Sequence, residues 1–129
     1  MAGNPLAGKL QIKPGNRLLV LNPPPGYLAR LGPLPDGIGL AERPSGTYDV
    51  VHLFVNDKAE LGRLAQRALE AIKPSGVFWV SYPKRSAKVS TDITRDVGWD
   101  ELTAAGWRPV SQVSIDDVWS ALRFRPQRT

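Results

Sequence analysis

The sequence predicts a single α/β domain, a three-layer sandwich around a mostly parallel sheet closed by a C-terminal antiparallel hairpin. Three observations carry that prediction. Short apolar runs without alternation, at 17–22, 48–55 and 77–83, read as strands buried on both faces. A long amphipathic segment separates the second run from the third, and such a strand–helix–strand unit requires a right-handed crossover and parallel strands. Two partly alternating runs at the C-terminal end, joined by Asp116-Asp117, read as a hairpin.

The segment 4–12 reads as a short helix or arm, with Leu6, Leu10 and Ile12 as its apolar contacts. Lys13-Pro14-Gly15-Asn16 is a turn, and "RLLVLN" is the first strand. The run "NPPPGYLARLG" then leaves room for two helical turns before Gly32 and Pro33 stop them. "GIGLAE" is a short strand weakened by its glycines. "YDVVHLFV" is a second buried strand. From Asn56 onward Leu61, Leu64, Ala65, Ala68, Leu69 and Ile72 share one helical face. Asn56 or Asp57 can cap that helix, and Pro74 and Gly76 end it. "VFWVSYP" is the next strand, "KRSAKVSTDITRD" a polar connection, and "GWDELTAAG" a short helix stopped by Gly106. The hairpin follows.

Composition sets outer limits. A chain of 129 residues, 42% hydrophobic and 22% charged, suits one globular domain with a core that needs no staples. The absence of cysteine excludes disulfides and thiolate metal sites. No apolar run reaches the roughly 20 residues of a membrane span, and 1–15 lack the apolar stretch of a signal peptide. A cytoplasmic location with no membrane partner is the expectation. The net charge is +5, with mild basic concentrations at 84–95 and 123–128 and no basic tract interleaved with aromatics. That pattern favours a solvated basic face over a nucleic-acid site. Twelve prolines punctuate loops rather than form a low-complexity segment.

Candidate site residues follow from the fold. Ligands of open α/β sheets collect outside the carboxyl ends of parallel strands. Those ends carry Asn22 with the proline loop, Asn56 and Asp57, and Tyr82 with Lys84. Lys84 and Arg85 add positive charge, 90–96 can fold across as a flap, and a small anion or nucleotide is the ligand expected there. Gly26 and Tyr27 belong to the loop, and Glu42 stands 20 residues beyond Asn22, an offset at which an acidic residue can bond a ribose hydroxyl. His52, the one histidine, lies in a buried strand with no second metal ligand and reads as a core residue. Ser81, Ser111 and Ser120 show no triad context, and no P-loop or G-x-S-x-G motif is present. No catalytic residue and no metal site is assigned.

"LQIKPGNRLLVLN", "YDVVHLFV", "LEAIKPSGVFWVSYPK" and the closing "GWDELTAAGWRPVSQVSIDDVWSALRFRP" together resemble a shortened class I methyltransferase, a Rossmann-like fold. Lys73-Pro74-Ser75-Gly76 matches that family's Lys-Pro-Gly-Gly run before a late strand. Trp79, Val80, Pro83 and Lys84, with Trp119, Ser120, Ala121 and Arg123, are similar to marks of a small bacterial family of unknown function. The methyltransferase resemblance implies S-adenosylmethionine as cofactor. The residues name no cofactor themselves. A cofactor loop after the first strand needs glycines for close backbone approach, whereas Asn22-Pro23-Pro24-Pro25-Gly26 withholds N–H donors. An Asn-Pro-Pro-aromatic motif of amino-methyltransferases is similar in letters, but Tyr27 comes two residues late and the run follows the wrong strand. The reading is therefore an accessory, non-enzymatic binding module on a degenerate methyltransferase-like fold. The alternatives are a nucleotide-binding enzyme with a remodelled site, such as an S-adenosylmethionine-dependent methyltransferase, and a homodimeric interaction protein pairing through an exposed edge beside the first strand.

Overall fold

A computed structural model describes residues 8–27, 36–84, 91–94 and 97–126. The elements run β1 (Arg17–Leu21), β2 (Gly39–Ala41), β3 (Tyr48–Phe54), α1 (Lys58–Ala71), β4 (Ile72–Pro83), α2 (Asp100–Ala104), β5 (Trp107–Ser114) and β6 (Trp119–Pro126). They form one six-stranded sheet in the order β2-β1-β3-β4-β6-β5. The first four strands are mutually parallel, β6 is antiparallel to β4, and β5 is antiparallel to β6. Of the expected helix within 26–32, residues 28–32 lie outside the described residues.

Each sheet face carries its own core. On one face α1 lays Leu61, Ala65, Ala68 and Ala71 over Leu19, Val51, Leu53, Phe78 and Val80, joined by Leu102 of α2 and by Ile93. On the other, Leu10, Ile12 and Tyr27 cover Leu18, Val20, Val50, Phe54 and Trp79. The indole N–H of Trp79 donates to the Leu10 carbonyl at 2.9 Å, which ties residues 8–12 to the middle of the sheet. Burying each such aliphatic side chain stabilises the fold by about 1.5–3 kcal/mol. That both faces are covered explains why the central strands read as unbroken apolar runs.

One expectation changes. The helix ends at Ala71, and Ile72 to Gly76 already belong to β4, with Ile72 paired to Tyr48. Pro74 disfavours helical backbone at Lys73, so the chain turns extended two residues before the proline. Gly76 then sits at the register shift between β3 and β4, where a Cβ would lie 2.8 Å from the Asp49 carbonyl. Strand β1 has the edge strand β2 at its side. It lies between β2 and β3, and the edges of the sheet are β2 and β5.

Candidate functional site at the carboxyl ends of the parallel strands

The order of the parallel strands reverses at β1. From there β2 lies to one side and β3 to the other, so the crevice beyond β1 and β3 is the topological switch point, the usual ligand position in such sheets. The loop after β1 enters it through Asn22, which adopts φ 58°, a left-handed conformation that asparagine tolerates. The Asn22 amide donates to the Phe54 carbonyl at 2.9 Å and to Glu60 Oε1 at 3.2 Å. Glu60 Oε1 also accepts from the Asn56 backbone N–H at 2.8 Å and the Asn56 amide at 3.0 Å. A carboxylate held by two asparagines thus stands at the mouth of the sheet. Its side chain is 23% exposed, and among the described residues its second oxygen has only a long contact, 3.9 Å, with Arg63.

Glu60 is there because the helix start puts it there. Asp57 is the N-cap of α1, and its Oδ1 accepts the Glu60 N–H at 2.9 Å. Glu60 in turn reaches back over the cap, in the manner of a capping box. Asp92, from the connection after β4, accepts the Lys58 N–H at 2.8 Å. Three carboxylates therefore gather at the positive end of α1, where the helix dipole favours them. The rim is acidic there, whereas the sequence suggested a small anion.

The proline run is a turn with a defined purpose. The Tyr27 N–H donates to the Pro24 carbonyl at 3.1 Å, with Pro25 and then Gly26 at φ 83° between them. Proline followed by a left-handed glycine is what a type II turn requires. The turn sends Tyr27 inward rather than to the rim. Tyr27 is 2% exposed, and its hydroxyl pairs with His52 Nδ1 at 2.8 Å. His52 Nε2 pairs with Ser81 Oγ at 2.6 Å. Ser81 and His52 were not linked by any sequence motif; they meet because they lie two residues apart in register on the adjacent strands β3 and β4. Burial lowers the His52 pKa to about 3 and raises that of Tyr27. All three side chains are closed to solvent, so this neutral chain of hydrogen bonds fastens the proline loop to the sheet.

The other predicted residues are spread out. Glu42 follows β2 directly and is exposed. Tyr82 is buried against Trp99, with ring centroids 5.4 Å apart, and its hydroxyl accepts from Gln112 at 2.8 Å. Lys84 turns to the hairpin, its Nζ donating to Ser114 Oγ at 2.7 Å and its N–H to the Val118 carbonyl. The structure thus brings together Asn22, Asn56, Asp57 and Glu60, of which Glu60 was not among the residues predicted for the site. It does not bring Tyr27, Tyr82 or Lys84 to them. The acid three residues after the cap was the available signal.

Order, crossover and closing hairpin define a Rossmann-like fold of the methyltransferase type. Solved structures share it. The chain is similar to the fibrillarin pre-rRNA processing protein of Methanococcus jannaschii, at 16% identity over 91% of this chain and 69% of that one, with a TM-score of 0.62. It is similar to the ribosomal protein L11 methylase of Lactobacillus delbrueckii subsp. bulgaricus, at 12% identity over 95% and 76%, with a TM-score of 0.59. It is also similar to DhpI in complex with SAH, at 16% identity over 97% and 84%, with a TM-score of 0.58. Identities this low carry the fold alone. No protein-family model and no curated protein matches the sequence. Among the described residues no helix is long and apolar enough to cross a membrane, and no cluster of metal-ligating side chains is present.

Proposed function

We propose that the chain binds S-adenosylmethionine at the switch point and acts as a methyltransferase whose cofactor contacts come from side chains instead of a glycine loop. The observation that carries this reading is the acidic, amide-lined rim: Glu60 held by Asn22 and Asn56, beside Asp57 and Asp92. S-adenosylmethionine is cationic at its sulfonium and amino groups, and such a rim matches that charge. Glu42, exposed at the end of β2, has the place of an acid that bonds ribose hydroxyls. Glu42, Asn56 and Glu60 would hold the ligand, which supplies an activated methyl group when bound. Structural neighbours include proteins solved with SAM or SAH.

Calorimetry tests this. S-adenosylmethionine and S-adenosylhomocysteine should both give saturable heat. Glu42→Ala should weaken both about tenfold, the value of one hydrogen bond to a charged acceptor. Glu60→Gln should weaken S-adenosylmethionine more than S-adenosylhomocysteine, because only the former carries the sulfonium charge. No saturable heat with either compound would overturn the proposal.

A second reading, binding without transfer, is favoured by Pro23-Pro24-Pro25, which withholds three N–H donors from the loop after β1. Ligand binding with no S-adenosylhomocysteine released over a panel of nucleophiles would select it.

A further inference from the structure

The opposite end of the sheet has a different chemistry. There, beyond the start of β4 and the end of β6, lies a cavity of about 510 Å³ lined by Ser75, Gly76, Arg108, Arg123 and Arg125 together with prolines. Cross-strand pairing puts the arginines together: Arg125 stands opposite Arg108, and Arg123 lies between Trp79 and Ser111. Paired residues share a sheet face, and alternation along β6 places Arg123 and Arg125 on the face of Ala121 and Trp79. That is the face away from α1 and α2. Residues 8–12 and Tyr27 cover its β1-β3-β4 part.

Nothing within the described residues balances these charges. No carboxylate lines the cavity, and none of the three guanidinium groups has an ion-pair partner there. Arg123 Nε is buried with no hydrogen-bond acceptor. Burial and the neighbouring charge of Arg125 both work against the Arg123 cation. Like charges directly opposite on paired strands destabilise a sheet, and a buried donor without an acceptor costs its full desolvation. An arrangement that is costly when empty is stabilised by an anion that accepts from all three groups. Guanidinium forks match carboxylates and phosphates. Three of them fit a group bearing more than one negative charge, and the Ser75 hydroxyl adds a donor of the kind phosphate oxygens take.

We infer that the Arg108, Arg123 and Arg125 cavity is a phosphate-binding site, separate from the rim, that takes the phosphate of a nucleotide-sized ligand or of a polynucleotide backbone. The cavity is larger than a phosphate needs and falls in the range of small-molecule sites. The sequence-based expectation of an anion near Lys84 is thereby moved to the other end of the sheet.

The probes are inorganic pyrophosphate, ATP and a short polyuridine strand, titrated against wild type, Arg108→Gln/Arg125→Gln and Arg123→Gln. The first variant changes only exposed side chains, so the fold survives it. Wild type should bind at least one probe, and the double variant should bind it about tenfold or more weakly. Binding of pyrophosphate and ATP identifies a free phosphate ligand. Binding of polyuridine alone, with a salt slope that drops by about one for each arginine removed, identifies a backbone ligand. Pyrophosphate should also raise the thermal midpoint of wild type above that in chloride of equal ionic strength. Arg123→Gln should lose that rise without losing its midpoint in chloride. Equal binding of every probe by wild type and the double variant, or no binding of any, would overturn the inference. Glu42→Ala should leave these affinities unchanged, so failure here and failure at the rim are distinguishable.

Discussion

At the scale of single residues, His52 makes the sharpest statement. It is the one histidine, wholly buried between Tyr27 and Ser81, and neutral because burial disfavours its charged form. Its folded pKa, about 3, lies below its ordinary value of 6.5. The unfolded chain therefore binds more protons between those values, and stability is full above pH 6.5 and falls as the pH drops toward 3. Unfolding midpoints in denaturant should show about 2 kcal/mol less stability at pH 5 than at pH 7. His52→Gln, which keeps a donor and an acceptor, should flatten that slope; an equally steep slope in the variant would discard this assignment. Below pH 4 a second loss begins at Asp49, whose carboxyl is held low by the Arg17 N–H and by Lys73. From sequence, His52 was legible as a core residue, since it sits in an apolar strand. Its partners were not, because Tyr27 and Ser81 reach it through a turn and a neighbouring strand that letters do not align.

Among the elements, the junction of α1 and β4 repays mutation. The helix itself was plain from its spacing, and its cap was narrowed to Asn56 or Asp57, of which Asp57 is the one. Its end was displaced because the effect of Pro74 acts on the residue before it, so the strand begins while the sequence still looks like a helix stop. Gly76 is fixed by packing, with the Asp49 carbonyl and Ile72 Cδ1 both inside 3 Å of where a Cβ would stand. Gly76→Ala should cost about 1–3 kcal/mol, the usual penalty of overpacking, measurable by urea unfolding. Asp57→Ala should cost about 1 kcal/mol through loss of the cap. It also frees the Glu60 backbone, so S-adenosylmethionine binding should weaken along with stability. Stability lost with affinity unchanged would separate the cap from the proposed site.

For the whole molecule, the sheet is electrically polar from end to end. Its carboxyl rim gathers Asp57, Glu60 and Asp92, and its amino end gathers Arg108, Arg123 and Arg125. Net charge alone, +5, concealed this division. The mild basic concentration at 123–128 was visible, but its alignment with Arg108 needed the hairpin register. The fold was legible because covered parallel strands leave an unmistakable apolar signature. That Asn22 and Asp57 stand at the carboxyl ends of strands was legible; the gathering of Asp57, Glu60 and Asp92 was not, because the acids come from a helix start and a distant connection. The cover over the second core is equally global: Leu10→Ala, at a fully buried position, should cost about 2–5 kcal/mol even though it lies outside every strand and major helix.

The hairpin turn has a kinetic consequence. Asp116 Oδ1 accepts the N–H groups of both Val118 and Trp119, so its side chain reinforces the backbone bonds that Ile115 and Asp116 make to the Trp119 carbonyl in the reversal between β5 and β6. Every other pairing in the sheet closes a long stretch of chain, and such closure is slow. The hairpin alone is local, and hairpins form in about 1–10 μs. Exposed along most of β5, it cannot persist without β4. Folding is then expected to wait on β4 finding a preformed hairpin, and Asp116→Ala should slow refolding more than it speeds unfolding.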